Sequence, residues 1–390
     1  MVRKLTNILL CIFMGVTVFC DVYAEGDPAL TDRLVSDYAI VIDADTDQVL
    51  SEKNADARIY PASMTKMMTA LIAIENISDY SERITVTHEA LDGLTEANAS
   101  VAGFKEGDTP TVLELLYGIA LPSGADASNT LALHIAGSQE AYAELMNRKA
   151  QELGMDSTHF VNMTGLDEAD HYTTCRDLSK LLKYCIRNET FRTIFSAAEY
   201  TTGPMADGST LEMQSTAFSA IKATGSEVPG FIGAKTGFTY GAEHCMAYWA
   251  SLNGMDLVIV TAHAAGSIST PSHIYDAAKL LQDINDSWRP ATAVEQDKTY
   301  RSVEFVYPFG TETYDLKADE TVTMDLDDSY ELQIDLPESL YGPLTDREDL
   351  HGTVKIVQND AVMYEKEISV PVCEDLWLEE YLNGLISPFE

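Results

Sequence analysis

Basic residues are scarce in this chain: 25 lysines and arginines stand against 62 aspartates and glutamates, a formal charge of −37. A field of that sign repels phosphate backbones and anionic membrane surfaces, which argues against nucleic acid and against adhesion to such membranes. An anionic substrate would approach against the field, which is screened beyond about 8 Å at physiological salt. Local lysines must therefore dominate wherever such a substrate binds. Cysteine is sparse too, six in 390 residues, and no Cys-x-x-Cys occurs. His88-Glu89 lacks the second histidine that a zinc-binding helix requires, so the sequence supports neither a metal site nor a cofactor. Internal repeats and low-complexity tracts are absent.

The text that is present opens on Arg3 and Lys4, an apolar run over residues 8–19, and Val22-Tyr23-Ala24 ahead of Glu25. This pattern reads as a secretory signal peptide over residues 1–24. The run is too short to span a bilayer comfortably; an uncleaved anchor is the alternative, and bulky Phe19 argues against lipid attachment at Cys20. Cleavage leaves Cys175, Cys185, Cys245 and Cys373, an even count that permits disulfides in an exported chain. A domain of this size does not need such staples. Buried thiols are expected, with a Cys175–Cys185 bridge as the alternative.

Residues 38–42 and 48–50 flank a polar turn and read as a hairpin. From 109 to 137 the text turns helical: Pro110 opens a segment, Pro122 stops it and residues 126–136 resume it, which leaves Ser123-Gly124 in the break. Helices are expected over 139–153, 174–187 and 270–284, and strands over 245–250 and 257–261 around the tight-turn pair Asn253-Gly254. The order implies an α/β (α+β) domain with an antiparallel sheet and a helical part, spanning residues 30–287. Beyond Trp288-Arg289-Pro290, β-formers at 321–326, 331–336, 353–357 and 362–370 predict a small C-terminal all-β domain over 292–373. An acidic tail, 374–390, has no basic residue after Lys366 and reads as a packed or protein-binding end rather than a membrane foot.

Ser63-Met64-Thr65-Lys66 follows Pro61-Ala62 and precedes an apolar stretch over 67–74. Residues three apart on a helix are neighbours, proline is tolerated at the first turn, and an apolar flank desolvates an ammonium so that it loses its proton more readily. Such a pair is common by itself. Two further motifs raise its weight: Ser123-Gly124 in the helix break, and Lys235-Thr236-Gly237 leading into a strand. Their order matches the set shared by penicillin-binding proteins and class A β-lactamases.

With Tyr60-Pro61-Ala62-Ser63-Met64-Thr65-Lys66, Phe160-Val161-Asn162-Met163-Thr164-Gly165-Leu166, His171-Tyr172-Thr173-Thr174 and Lys235-Thr236-Gly237-Phe238-Thr239, the chain resembles the low-molecular-weight penicillin-binding proteins that act as serine-type D-alanyl-D-alanine carboxypeptidases. The resemblance covers roughly residues 36–285; the β module resembles the family's C-terminal domain in position and type. It implies a β-lactamase/penicillin-binding-protein-like catalytic domain, extracytoplasmic action on peptidoglycan stem peptides, and acylation by β-lactams, while membrane association stays open. Hydrolysis at a D-Ala–D-Ala end needs a nucleophile, a base, an acid for the leaving amine, an anion site and oxyanion donors. Ser63 suits the first role, Lys66 the second and Ser123 the third. Lys235 adds charge beside Ser123, Thr236 and Thr239 offer hydroxyls to the substrate carboxylate, and Gly237 lets the peptide lie against the strand. By resemblance the oxyanion donors are the backbone N–H groups of Ser63 and Phe238.

Two positions depart from the family pattern: Ala125, and Phe238 directly after Lys235-Thr236-Gly237, where some relatives carry a polar residue. Ala125 stands where Ser-x-Asn is usual, and the lost amide would weaken acylation or substrate register. Asn129, a turn further on, is expected to be structural, His134 a packed histidine, His244 and Cys245 sheet residues, Asn162 either to face the cleft or to hold its loop's backbone, and Arg176 and Asp177 a pair or cap. The rival readings are a β-lactamase or transpeptidase of the same superfamily and a catalytically weakened wall-peptide-binding scaffold.

Overall fold

β-Branched and aliphatic runs build the sheet. In a computed structural model, which describes residues 27–267, 270–307, 310–318, 320–336, 339–341 and 350–370, β1 (Tyr38–Asp43) pairs antiparallel with β2 (Val49–Lys53). The segment expected to be a leader, with Cys11 and Cys20, and the expected acidic tail with Cys373 before it lie outside the described residues. Strands β3 (Phe231–Thr239), β4 (Glu243–Leu252) and β5 (Met255–Ala264) complete an antiparallel sheet in the order β2-β1-β5-β4-β3. Asn253 (φ 54°) and Gly254 (φ 91°) make the tight turn between β4 and β5, as their dipeptide predicts.

Alternate side chains of the central strands enter two cores. Ile40, Ala247, Trp249, Val258 and Val260 face the helical layer. Val41, Met246, Tyr248, Leu257 and Ile259 face the helix Ser272–Ser287 through Ile274, Leu280, Leu281 and Ile284. β3 lies at the sheet edge with one side of its backbone unpaired by any strand of that sheet.

At the heart of the helical layer is α1 (Lys66–Asn76), with nine of its eleven residues buried. A helix apolar on all sides has to be enclosed, and α1 is enclosed by α2 (Val112–Ala120), α3 (Ala125–Ala136) and α4 (Gln139–Glu152). A capping box between Thr111 and Glu114 starts α2, and left-handed Gly137 (φ 77°) ends α3. Between α2 and α3 the chain breaks at Pro122 and Ser123. Cys175 and Cys185 bound a further helix, Cys175–Cys185, and with Cys245 they are buried free thiols, so the bridge between them is not formed.

Short helices at Glu189–Phe195 and Thr216–Thr224 and a small hairpin, Glu199–Thr201 with Glu212–Gln214, add to the expected elements. Past Trp288 the described chain is all strand, in small sheets of two or three strands. These pack on the larger sheet and its helices: Gln48 Nε2 donates to the Asp325 carbonyl at 2.6 Å, and the Asp325 N–H donates back to Gln48 Oε1 at 2.7 Å.

Candidate active site

Ser63 does not open an α-helix directly. Residues Ala62–Thr65 form a 3₁₀ turn, and α1 begins at Lys66. The tighter turn stacks positions three apart almost in line, and Lys66 Nζ donates to Ser63 Oγ at 3.0 Å and to the Thr164 carbonyl at 2.7 Å. Lys66 is only 2% exposed. Burial draws its pKa from the usual lysine value to about 7, against the opposing pull of Asp126.

Ala62, just before the serine, is left-handed at φ 45°. Gly165 (φ 85°) presses on it so closely that a Cβ would lie 1.8 Å from the Ala62 carbonyl oxygen; only glycine permits that approach. Of the two roles open to Asn162, it takes that of holding this loop. Its Oδ1 accepts from the N–H groups of Thr164 (3.1 Å) and Gly165 (2.8 Å), and its Nδ2 donates to Leu166 O (3.1 Å) and Glu168 Oε1 (2.9 Å). His171 secures the other side. Its Nδ1 accepts from Val161 N–H at 3.1 Å, so Nε2 carries the proton and donates to Thr65 Oγ1 at 2.8 Å. Burial lowers the pKa of this ring to about 4, which keeps it neutral.

Ser123 is left-handed (φ 65°) and 4% exposed, and its Oγ has no partner among the described residues. Strain and an unpaired buried hydroxyl at one residue are features that concentrate at working sites. Three residues on, Asp126 accepts from the N–H groups of Ala102 (2.8 Å), Gly103 (2.9 Å) and Phe104 (3.0 Å). It thereby clamps that loop over the Ser123 turn. Ala125 is fully buried and its N–H donates to Ser100 O at 2.8 Å. Asn129 donates to Ala90 O at 3.0 Å, a packing contact that does not replace the missing amide.

On β3, Lys235 is 1% exposed and its Nζ donates to the Thr236 carbonyl at 2.9 Å. Burial first, and then the nearby Lys66, hold its pKa well below the usual lysine value. No carboxylate pairs with Lys66 or Lys235 among the described residues. Thr236 Oγ1 lies 2.6 Å from Thr216 Oγ1, and a Cβ on Gly237 would come within 3.0 Å of Ala62 Cβ and 3.1 Å of Ser63 N. The glycine thus brings the strand against the serine backbone. Thr239 donates to Asp167 Oδ1 at 2.7 Å and accepts from Ala242 N–H at 2.9 Å, so its hydroxyl proton is committed to the turn, and Thr236 is the hydroxyl left beside Lys235. Phe238 is half exposed on the rim.

Ser63, Lys66 and Gly237 therefore meet at one place, with Lys235 near enough for Lys66 to act on its charge and Ser123 buried in the break between α2 and α3. Thr164, Gly165, Asp126, Asp167 and Thr216 join them without any spacing signal that could have marked them; only the quoted Asn162–Leu166 text hinted at the loop. His134 is not packed: it lies at the surface with Nε2 3.1 Å from Glu82 Oε1. His244 and Cys245 sit in β4 as expected, and Arg176 pairs with Asp56, while Thr174 caps the N–H of Asp177.

Comparison with known proteins gives the family and the fold. A protein from Bacillus subtilis named D-alanyl-D-alanine carboxypeptidase DacF is 31% identical over 66% of this chain and 65% of its own length, just under two thirds of that protein. A D-alanyl-D-alanine carboxypeptidase from Streptomyces sp. K15 is 32% identical over 60% of this chain and 82% of its own. The crystal structure of the Streptomyces K15 DD-transpeptidase superposes with a TM-score of 0.58 at 28% identity, covering 64% of this chain and 96% of that one. DacD from Francisella tularensis shares the fold at TM-score 0.65 and 21% identity, over 87% of this chain and 93% of that one. The profile of D-alanyl-D-alanine carboxypeptidases matches residues 25–266, and the chain belongs to that family of serine-type hydrolases.

Proposed function

We propose that this protein trims the terminal D-alanine from peptidoglycan stem peptides outside the cytoplasm, through an acyl-enzyme on Ser63. The contact of buried Lys66 with Ser63 Oγ at 3.0 Å carries the reading, because an amine with a pKa of about 7 is a base at neutral pH and an ordinary lysine is not. Ser63 Oγ attacks the carbonyl carbon of the penultimate D-alanine while Lys66 takes its proton. The oxyanion lies between the N–H groups of Ser63 and Phe238, which Gly237 brings together. Collapse expels the amine of the last D-alanine, with a proton delivered through the unpaired hydroxyl of Ser123. Water then attacks the ester, Lys66 again accepting a proton, and Ser63 is regenerated with a new carboxyl end.

Lys235 and the Thr236 hydroxyl, beside Thr216, supply the anion site. Lys235 is a buried lysine without a carboxylate partner and is poorly satisfied until an anion arrives, and the substrate's terminal carboxylate is that anion. A β-lactam presents a strained amide and a carboxylate in the same relation and acylates Ser63 as a mimic. No helix among the described residues is long and apolar enough to cross a membrane.

Incubation with a peptide ending in D-Ala–D-Ala should release free D-alanine from the wild type and none from Ser63→Ala. A penicillin mass adduct should likewise be present in the first and absent from the second. Release by neither protein would reduce the molecule to a wall-peptide-binding scaffold.

A further inference from the structure

Phe238, whose N–H the proposed chemistry sets against the oxyanion, stands near the end of an edge strand with β4 on one side only. Its partner in the β3–β4 register is His244, and side chains directly opposed on one sheet face touch. The Phe238 and His244 ring centroids lie 4.8 Å apart. His244 stacks in turn on His273, the second residue of the helix Ser272–Ser287, with centroids 4.7 Å apart and planes within 14°. Three rings thus run from the edge strand to a helix whose Ile274, Leu280 and Ile284 are sunk in the second core.

The backbone is bent around His244. The β4–β5 register shifts between His244 and Met246, and a non-glycine residue on each of these strands is left-handed, Glu243 at φ 51° and His263 at φ 58°. Irregularities of this kind re-aim side chains beside working sites. Gly266 leaves the ring its place, since a Cβ there would come within 3.3 Å of His244 Cδ2. Both imidazoles are buried, yet His244 Nε2 and His273 Nδ1 have no hydrogen-bond partner among the described residues, an arrangement that stability alone disfavours. Burial lowers the pKa of His244, against the pull of the Ser267 backbone and the Glu243 charge; burial and then His244 bring that of His273 to about 3. Two neutral rings therefore lie face to face without repulsion. Rings so nearly parallel cannot aim both in-plane lone pairs at one ion, so what the pair offers is contact and not ligation.

We propose that His244, seated on His273, is a positioning residue for the Phe238 N–H: through the Phe238 ring it holds the end of β3 so that this donor stays on the oxyanion. An oxyanion donor has to lie within about 2.7–3.1 Å of the charge it stabilises, and a small outward drift of an edge strand forfeits that. The Phe238 ring is then a fastening for its own backbone. This role rests on the carboxypeptidase reading above.

The test pairs His244→Val, which suits a paired strand but carries no ring, with His244→Phe, which restores one. Two quantities are read: D-alanine release from a peptide ending in D-Ala–D-Ala, and inhibition by a boronic acid carrying the same acyl group, whose boron accepts Ser63 Oγ and becomes tetrahedral as the transition state does. His244→Val should lower kcat by about tenfold to a hundredfold, up to the low end of what losing one oxyanion donor costs, with KM little changed. It should weaken the boronic acid by a similar factor, and His244→Phe should recover most of both. Partial unfolding would lower kcat and leave the inhibition constant of the boronic acid alone, so that constant separates positioning from bulk stability. A boronic-acid constant unchanged in His244→Val, or a loss that His244→Phe does not reverse, overturns the positioning role while leaving carboxypeptidase activity in place. No D-alanine release by the wild type overturns the activity itself and this role with it.

Discussion

Lys66 has two hydrogen-bond acceptors and no counter-ion in contact, so its protonation state sets the pH range in which Ser63 can be activated. The reactive form is the free amine. Because burial lowers the pKa to about 7, kcat/KM should be retained above neutrality and fall as pH drops through about 7. Asp126, whose charge supports the ammonium, sets part of that value; Asp126→Asn should shift the acidic limb to lower pH, which a purely structural role would not do. Ala125 offers a second residue-scale experiment. An asparagine there restores one amide beside the substrate, and a single neutral hydrogen bond is worth roughly 0.5–1.5 kcal/mol, so Ala125→Asn should speed penicillin acylation by about two- to tenfold in stopped-flow measurements. An unchanged rate would show that this position no longer contacts the acyl group. Ser63, Lys66, Ser123 and Lys235 were legible as motifs because local spacing carries them. Thr164, Asp126 and Thr216 were not, since a carbonyl 98 residues away or a carboxylate caught by three loop amides leaves no periodic trace.

Two glycines show how the elements set the cleft. Gly237 lets the edge of β3 approach the serine turn, and Gly165 lets the Asn162 loop bear on Ala62 from the other side. The two should fail differently. A methyl at 237 meets atoms 3.0–3.1 Å away, which a small outward shift of an edge strand relieves, at the expense of the Phe238 N–H position. Loss of one oxyanion donor costs about 10²–10³ in rate, so Gly237→Ala should lose activity on that order with its melting temperature nearly unchanged. Gly165→Ala combines a 1.8 Å clash with a left-handed φ and should depress thermal stability as well. Element reading from sequence did best where turn chemistry is local: Asn253-Gly254 named its hairpin and Pro122 named the helix break. It passed over Glu189–Phe195 and Thr216–Thr224, which last about two turns and leave little periodicity, and it did not separate out Arg289–Val294, Thr299–Tyr307 or Gly310–Lys317. Arg289–Val294 contains Pro290 and earns its strand character by pairing with Val322–Leu326, which is a tertiary fact.

Across the whole molecule, the C-terminal strands are docked on the catalytic unit. Val294, Leu326, Ile356 and Met363 share an apolar cluster with Leu30, Leu34 and Trp288, and Asn359 Nδ2 donates to Asp27 Oδ2 at 2.7 Å. Within this contact Asp325 lies buried near Asp43, whose Oδ1 accepts from the N–H groups of Asp45 and Thr46. Burial first, then the neighbouring Asp43 carboxylate, raise the pKa of Asp325. The sign of the consequence is fixed. A carboxyl whose folded pKa exceeds its unfolded one imposes no penalty below the ordinary carboxylate range; the penalty grows as pH rises and is complete above the raised folded value. Asp325→Asn keeps the shape and removes the charge. It should therefore raise the melting temperature more at pH 8 than at pH 5, with the extra stability confined to the docked state and D-alanine release unaffected, since the residue lies across the sheet from Ser63. An equal gain at both pH values would mean that packing, not ionisation, limits this contact.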